Sequence, residues 1–267
     1  MKSSAQRILT GLIGAPLVLA VAWYGGWPFA VVVGVAALIA QYEFYCLARL
    51  DRYVVPMTLG LCAGAVVLLR VQIGAPVEFA FLGFVVFLLG SLIALHNREN
   101  VLLLGGAALA GIIYPTLMLS YVAVMRSSDA LPGVATELTL LTLIGVWAAD
   151  TTAYFVGRKF GKRHMSPVSP GKTWEGFFGG LIGALVAVAV AAAIIGPLNA
   201  VETLFVGLAC GVLGPMGDLV ESAFKRSADV KDSGRVLPGH GGMLDRLDAV
   251  IVAAPVVYAW ATLTGLL

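Results

Sequence analysis

Long apolar runs separated by short polar breaks cover most of this chain. Runs near the roughly 20 residues of helix that cross a bilayer's hydrocarbon core fall at 8–22, 28–48, 54–71, 77–95, 101–125, 138–157, 174–195, 203–221 and 247–267. The pattern predicts an all-α fold, a polytopic integral membrane protein of about nine transmembrane helices forming a single domain over residues 1–267. An odd number of crossings assigns alternate loops to opposite sides. With the N-terminus inside, 15 of the 17 Lys and Arg residues share one side, and only Arg70 and Arg126 face the other. Positive charge marks the cytoplasmic side, so a cytoplasmic N-terminus is expected. One missed span would scramble this asymmetry.

Composition strengthens that picture. The chain is 60% hydrophobic and 12% charged, with a mean hydropathy of +0.94, whereas a soluble domain carries about a quarter charged residues. A net charge of +2 offers no basic excess for nucleic acid; the expected surroundings are a lipid bilayer. Cys46, Cys62 and Cys210 all fall within apolar runs and read as free thiols. His96, His164 and His240 lie in polar loops without metal-ligand spacing, which argues against zinc. Lys2 and Arg7, the first apolar run and Ala20-Val21-Ala22 also have the form of a cleavable signal peptide; retention as a first span is the expectation. Trp23, Tyr24 and Trp27 suit an outer aromatic belt. Glu43, near the cytoplasmic end of the second run, reads as a snorkelling or paired interfacial residue rather than a catalyst.

From the sixth run onward the polar residues become more pointed. Asp150, in Trp147-Ala148-Ala149-Asp150-Thr151-Thr152-Ala153-Tyr154, lies on the order of 10 Å inside the boundary at ~1.5 Å per residue. A carboxylate at that depth is costly unless paired or wetted, which points to a polar cavity; pairing with a neighbouring helix is the structural alternative. The basic run 158–163 anchors the cytoplasmic side and attracts acidic headgroups. Gly171-Lys172-Thr173 is not a P-loop, because position 166 is Ser where that motif needs Gly. Pro170 and Gly171 instead shape a turn into the seventh helix, bringing Lys172 and helix-start N–H groups toward an anion. Gly176, Gly180 and Ala184 then recur every four residues, a spacing that lets helices pack closely in lipid, within one subunit or between two.

Residues 214–248 depart most from the apolar background. They hold six carboxylates (Asp218, Glu221, Asp229, Asp232, Asp245, Asp248) and five cations (Lys225, Arg226, Lys231, Arg235, Arg246), with Gly234, Gly239, Gly241 and Gly242 between them. Gly214-Pro215 predicts a break or kink, and a helix restarting at Asp218 would line Asp218, Glu221, Ser222 and Lys225 along one face. Asp245 and Asp248 stand one turn apart at the start of the last run. Carboxylates from two segments can share a hard cation such as Mg²⁺, with substrate phosphates as further ligands. The loop 238–242 lets backbone N–H groups approach a phosphate. A solvated charged loop between membrane helices is the competing reading.

Ser222-Ala223-Phe224-Lys225-Arg226, then Lys231-Asp232, then His240-Gly241-Gly242-Met243-Leu244-Asp245-Arg246-Leu247-Asp248 resembles the signature of the phosphatidate cytidylyltransferases, or CDP-diglyceride synthases. Residues 169–176 are similar to that family's Ser-Pro-Lys-Lys-Thr-x-Glu-Gly, with Gly171 in place of the first Lys. The likeness covers about 147–248, the expected catalytic half; the first five runs match only in hydropathy. The resemblance implies that CTP and phosphatidic acid are joined into CDP-diacylglycerol with release of pyrophosphate. It implies Mg²⁺ as cofactor, leaves room for a second, monovalent cation, and makes a homodimer an option. It further implies a multi-pass protein of the cell (inner) membrane whose site faces the cytoplasm.

Joining two anions requires positioning and electrostatic stabilisation rather than a strong base. On that chemistry Asp218 and Asp245 are expected metal ligands, with Asp248 as a third carboxylate. Lys172, Lys225, Arg226, Lys231 and Arg246 would hold phosphates. His240 with Gly239, Gly241 and Gly242 would shape the CTP-phosphate loop, and Asp150 would be a ligand or would orient Lys172. Thr173, Glu175, Ser222 and Asp232 complete the expected substrate-contacting set. Two other readings compete. Intramembrane carboxylates and a broken helix also suit a secondary transporter, although the polar residues gather at one face and no inverted repeat is evident. A CTP-dependent enzyme acting on an ether-lipid phosphate or a polyprenol would use the same residues.

Overall fold

The computed structural model describes residues 2–73, 77–94, 101–128, 133–234, 236 and 241–267. Ten α-helices, and no strand, occur among them: α1 (Lys2–Tyr24), α2 (Gly26–Leu47), α3 (Val54–Ile73), α4 (Val77–Ala94), α5 (Val101–Gly111), α6 (Met118–Arg126), α7 (Val134–Phe160), α8 (Trp174–Ile195), α9 (Ala200–Ser227) and α10 (Leu244–Leu263). A π-helical turn, Ile112–Leu117, joins α5 to α6 and contains Pro115. Proline supplies no N–H to the ladder, and a π turn takes up the altered register. By length and composition, α2, the α5–α6 rod, α7, α8, α9 and α10 are apolar enough to cross a membrane. Shorter apolar segments, Ile13–Tyr24, Val54–Arg70 and Leu82–Ala94, lie in α1, α3 and α4.

α8 is apolar on its exposed face as well as on its buried one, as suits a membrane protein. Gly176, Gly180, Ala184, Val188 and Ala192 form its buried stripe, while Phe178, Ile182, Val186, Val190 and Ile194 are exposed on its opposite face. A helix that is apolar all round has no face for water. The buried stripe meets α7. A Cβ at Gly176 would stand 2.9 Å from the Ala153 carbonyl oxygen and 3.2 Å from the Gly157 Cα, and one at Gly180 would stand 2.9 Å from the Ala149 carbonyl oxygen. The small-residue repeat therefore serves packing within the chain.

The contact chain continues from α8 to α9 and from α9 to α10, and α10 also touches α2, α6 and α7. One hydrophobic core runs through the whole bundle, from Ala22 of α1 to Ala261 of α10. The expected interruption at Gly214-Pro215 does not occur: α9 is one helix, with Pro215 inside it. Breaking it within an apolar bundle would strand several backbone polar groups away from water, a larger loss than the one ladder bond proline removes. The three cysteines are free thiols, as expected.

Candidate functional site

At one end of the bundle, the C-terminal turns of α7 and α9 meet the N-terminal turns of α8 and α10. Their proximity has a local cause. At Gly217 any Cβ would run into the Asp248 carbonyl, so glycine lets α9 and α10 cross backbone to backbone. This crossing brings Asp218, one residue on, beside Asp248. On the other side, Met165 N donates to the Lys172 carbonyl at 2.8 Å and Trp174 N to the Arg163 carbonyl at 3.0 Å, folding the α7–α8 connection into a narrow loop. Thr173 then caps α8, its hydroxyl accepting from Gly176 N at 3.2 Å. Lys172 is left pointing at α9.

These four helix ends enclose a cavity of about 720 Å³. Its floor lies well below the rim: Asp150 precedes the end of α7 at Phe160 by on the order of 15 Å of helix. Among the described residues its lining holds six carboxylates (Asp150, Asp218, Glu221, Asp232, Asp245, Asp248) and six cations (Arg158, Lys172, Lys225, Arg226, Lys231, Arg246). The balance matters because any cation bound by the carboxylates would leave the lining net positive. Two helix N-termini also contribute partial positive charge there.

The charges fall into two linked groups. Lys172 Nζ lies 2.8 Å from Asp218 Oδ2 and donates to the Pro215 carbonyl at 3.0 Å; Ser222 Oγ donates to Asp218 Oδ1 at 3.2 Å. Deeper, Lys225 Nζ lies 2.6 Å from Glu221 Oε2 and 2.6 Å from Asp245 Oδ1. The other oxygen of Asp245 accepts from Ser233 N at 3.0 Å, Ser233 Oγ at 3.0 Å and Gly242 N at 2.8 Å. Asp218, Glu221 and Asp248 each offer a carboxylate oxygen within 4.8 Å of the others. Glu221 is 1% exposed, yet its Oε1 has no hydrogen-bond partner among the described residues. A buried carboxylate oxygen without a partner among the described residues, beside two further carboxylates, is an arrangement that could hold a hard divalent cation.

Most residues singled out in the sequence converge here. Asp150, Lys172, Thr173, Asp218, Ser222, Lys225, Arg226, Lys231, Asp232, Asp245, Arg246 and Asp248 all line the cavity. Glu175 does not: its Oε2 accepts from Lys162 N at 3.1 Å and Arg163 N at 3.3 Å, holding the α7–α8 loop. Gly242 gives its N–H to Asp245, and Gly241 adopts a positive φ of 83° beside it. His240 and Gly239 lie outside the described residues. Sequence reasoning placed Glu221 on the right helix face but not in the acidic trio. Only its i, i+3 spacing from Asp218 signalled it. Arg158 and Ser169 also join the lining; the first was read as an anchoring charge.

The chain matches the sequence profile of the Cytidylyltransferase family over residues 5–264. It is 34% identical over 267 residues to the phosphatidate cytidylyltransferase of Bacillus subtilis (strain 168), covering 97% of each chain. To the phosphatidate cytidylyltransferase of Thermotoga maritima (strain ATCC 43589 / DSM 3109 / JCM 10099 / NBRC 100826 / MSB8) it is 32% identical over 269 residues, covering 97% of this chain and 96% of the relative. The same named enzyme of Synechocystis sp. (strain ATCC 27184 / PCC 6803 / Kazusa) is 29% identical over 282 residues, again with 97% and 96% covered. With charged residues gathered at one end of an apolar bundle, and likeness running the full length of these relatives, this chain belongs to the cytidylyltransferase family.

Proposed function

We propose that this protein transfers the cytidylyl group of CTP to phosphatidic acid, yielding CDP-diacylglycerol and pyrophosphate. In that reaction an oxygen of the lipid phosphate bonds to the α-phosphorus of CTP while the bond from that phosphorus to the pyrophosphate oxygen breaks. The attacking oxygen is already anionic, so the site needs no general base. Its task is to hold two anions together in line. Lys172, Arg226, Lys231 and Arg246 supply cations around the cavity, and the α8 and α10 N-termini supply fixed dipoles. The single observation that carries the reading is the trio of half-buried Asp218 and buried Glu221 and Asp248 set among those cations.

Asp218, Glu221 and Asp248 would hold Mg²⁺, and Asp245 would steady the trio through Lys225. Bound there, the ion neutralises charge on the reacting phosphates. The nine-span topology with a cytoplasmic N-terminus, an inner-membrane location and a cytoplasmic site are supported by the one-sided distribution of basic residues. A homodimer is the assembly implied by resemblance, and light scattering in detergent tests it.

The function is tested by incubating detergent-solubilised protein with radiolabelled CTP and phosphatidic acid, an ether-lipid phosphate or a polyprenol. Labelled CDP-diacylglycerol from phosphatidic acid, lost with chelator and restored by Mg²⁺, is expected. Label transferred only to another lipid would redirect the assignment, and none to any lipid would sink it.

A further inference from the structure

Glu43 belongs to α2, outside the four helices that line the cavity. It is 2% exposed in an apolar helix, where an unsatisfied carboxylate would be very costly. Its partners lie about two hundred residues later in the sequence. Oε1 accepts from Met243 N at 3.0 Å and Oε2 from Leu244 N at 2.8 Å, while Ser233 Oγ lies 3.1 Å from Oε2 and 3.0 Å from Asp245 Oδ2, its one proton shared between the two carboxylates. Asp245 takes Gly242 N, just ahead of α10, and the backbone N–H of Ser233 in the preceding connection. The amides leading into α10 are thus divided between Asp245, a carboxylate of its own, and Glu43, one borrowed from α2. The residue preceding α10, Met243, provides no side-chain cap, so the borrowed carboxylate performs that function. Two glycines let it close in: a Cβ at Gly234 or at Gly242 would collide with Glu43. Next to it, Phe44 meets Phe224 of α9 edge-on at 5.1 Å.

We propose that Glu43 is a positioning residue for the cytidylyl transfer described above. It docks the first turn of α10 against α2, and this docking fixes where Asp245, Arg246 and Asp248 stand relative to Asp218 and Glu221. Glu43 is absent from the cavity lining, so it acts through the backbone it caps. The kinetic part of this inference rests on the proposed function; the docking itself does not.

The test uses the full chain purified in detergent, with Glu43→Gln as first variant and Ser233→Ala as second. Gln keeps the length but sets an amide, itself a donor, against backbone donors. Hydrogen exchange across residues 241–247 should quicken by about tenfold, the loss of one net hydrogen bond, with exchange in α8 unchanged. The turnover number per folded molecule should fall by about tenfold or more, with the KM for CTP shifted by less than about threefold. Ser233→Ala should move both readouts in the same direction by about threefold. Wild-type exchange at 241–247, or wild-type turnover per folded molecule with only a lowered melting temperature, overturns the proposal. If Glu43→Gln does not fold, wild-type exchange in Ser233→Ala overturns it. Should the unaltered protein make no CDP-diacylglycerol, the functional reading falls while the exchange experiment still decides the docking.

Discussion

Two polar clusters, one in each half of this bundle, treat their buried groups in opposite ways. In the N-terminal half, Gln41, Tyr45 and Thr116 form a closed network. Gln41 Nε2 donates to Tyr45 Oη and to the Gly60 carbonyl, both at 2.8 Å. Thr116 Oγ1 donates to Gln41 Oε1 at 2.7 Å, and Tyr45 Oη donates to the Ala108 carbonyl at 3.0 Å. The principal donors and acceptors are matched, and these groups hold α2, α3 and α5 together. In the C-terminal half, Asp218, Glu221 and Asp248 face space, and one buried oxygen of Glu221 has no partner among the described residues. Saturated polar groups rigidify, whereas unsaturated ones mark where a ligand is accommodated.

The strongest way to break that contrast is at the acidic trio. Asp218→Asn keeps size and shape but removes the charge that faces Lys172, and turnover should drop by about 10²–10³-fold while the amount of folded protein in the membrane holds. Activity of the purified variant near the unaltered level would remove Asp218 from the site. Lys172→Ala tests the same pair from the other side. Its ammonium bridges Asp218 and the Pro215 carbonyl, so both the cation and the orientation of the carboxylate are lost. A fall of about 10–100-fold is expected, and a variant of unchanged turnover would make Lys172 only a strut for α9.

Much of this was legible in the sequence because lipid constrains helices so tightly. The nine apolar runs coincide with the helical rods to within several residues, since ends must fall where polar side chains can reach water. The gathering of charged side chains in 147–248, which the fold brings around one cavity, was equally plain, as charged residues are rare in such a chain. What escaped was whatever depended on partners distant in sequence. Glu43 looked interfacial because its donors, Met243 and Leu244, become neighbours only after folding. The partners of Asp245, namely Lys225, Ser233 and Gly242, could not be read from its spacing to Asp248. The Gly176 stripe was readable as a packing face but not as one filled by α7. Of the break or kink that proline at 215 suggested, the break does not occur, because the apolar surroundings keep α9 whole.

A gentler perturbation lies where packing creates the site. Gly217→Ala adds one methyl at the α9–α10 crossing, against the Asp248 backbone. The helices must separate, and overpacking of this kind costs about 1–3 kcal/mol. Thermal unfolding in detergent should fall accordingly, and activity should fall with it because Asp218 and Asp248 are moved apart. A melting curve and turnover both at the unaltered level would show that the crossing tolerates the methyl and does not set the spacing of the trio.

The smallest effect sharpens the comparison from the opposite end. Arg126, at the end of α6, donates through Nε to the Ala22 carbonyl at 2.6 Å and through Nη2 to the Trp23 carbonyl at 2.8 Å. These are carbonyls of the last turn of α1, which lack partners within their own helix. The guanidinium therefore fastens α1 to the bundle and plays no part in the cavity. Arg126→Ala should lower stability by about 1–2 kcal/mol, measured as a reduced melting temperature, with turnover per folded molecule within about twofold of the unaltered protein. If turnover instead collapsed while the melting temperature held, the division into a holding half and a reacting half would be wrong, because a saturated contact at the far end would be acting on the chemistry.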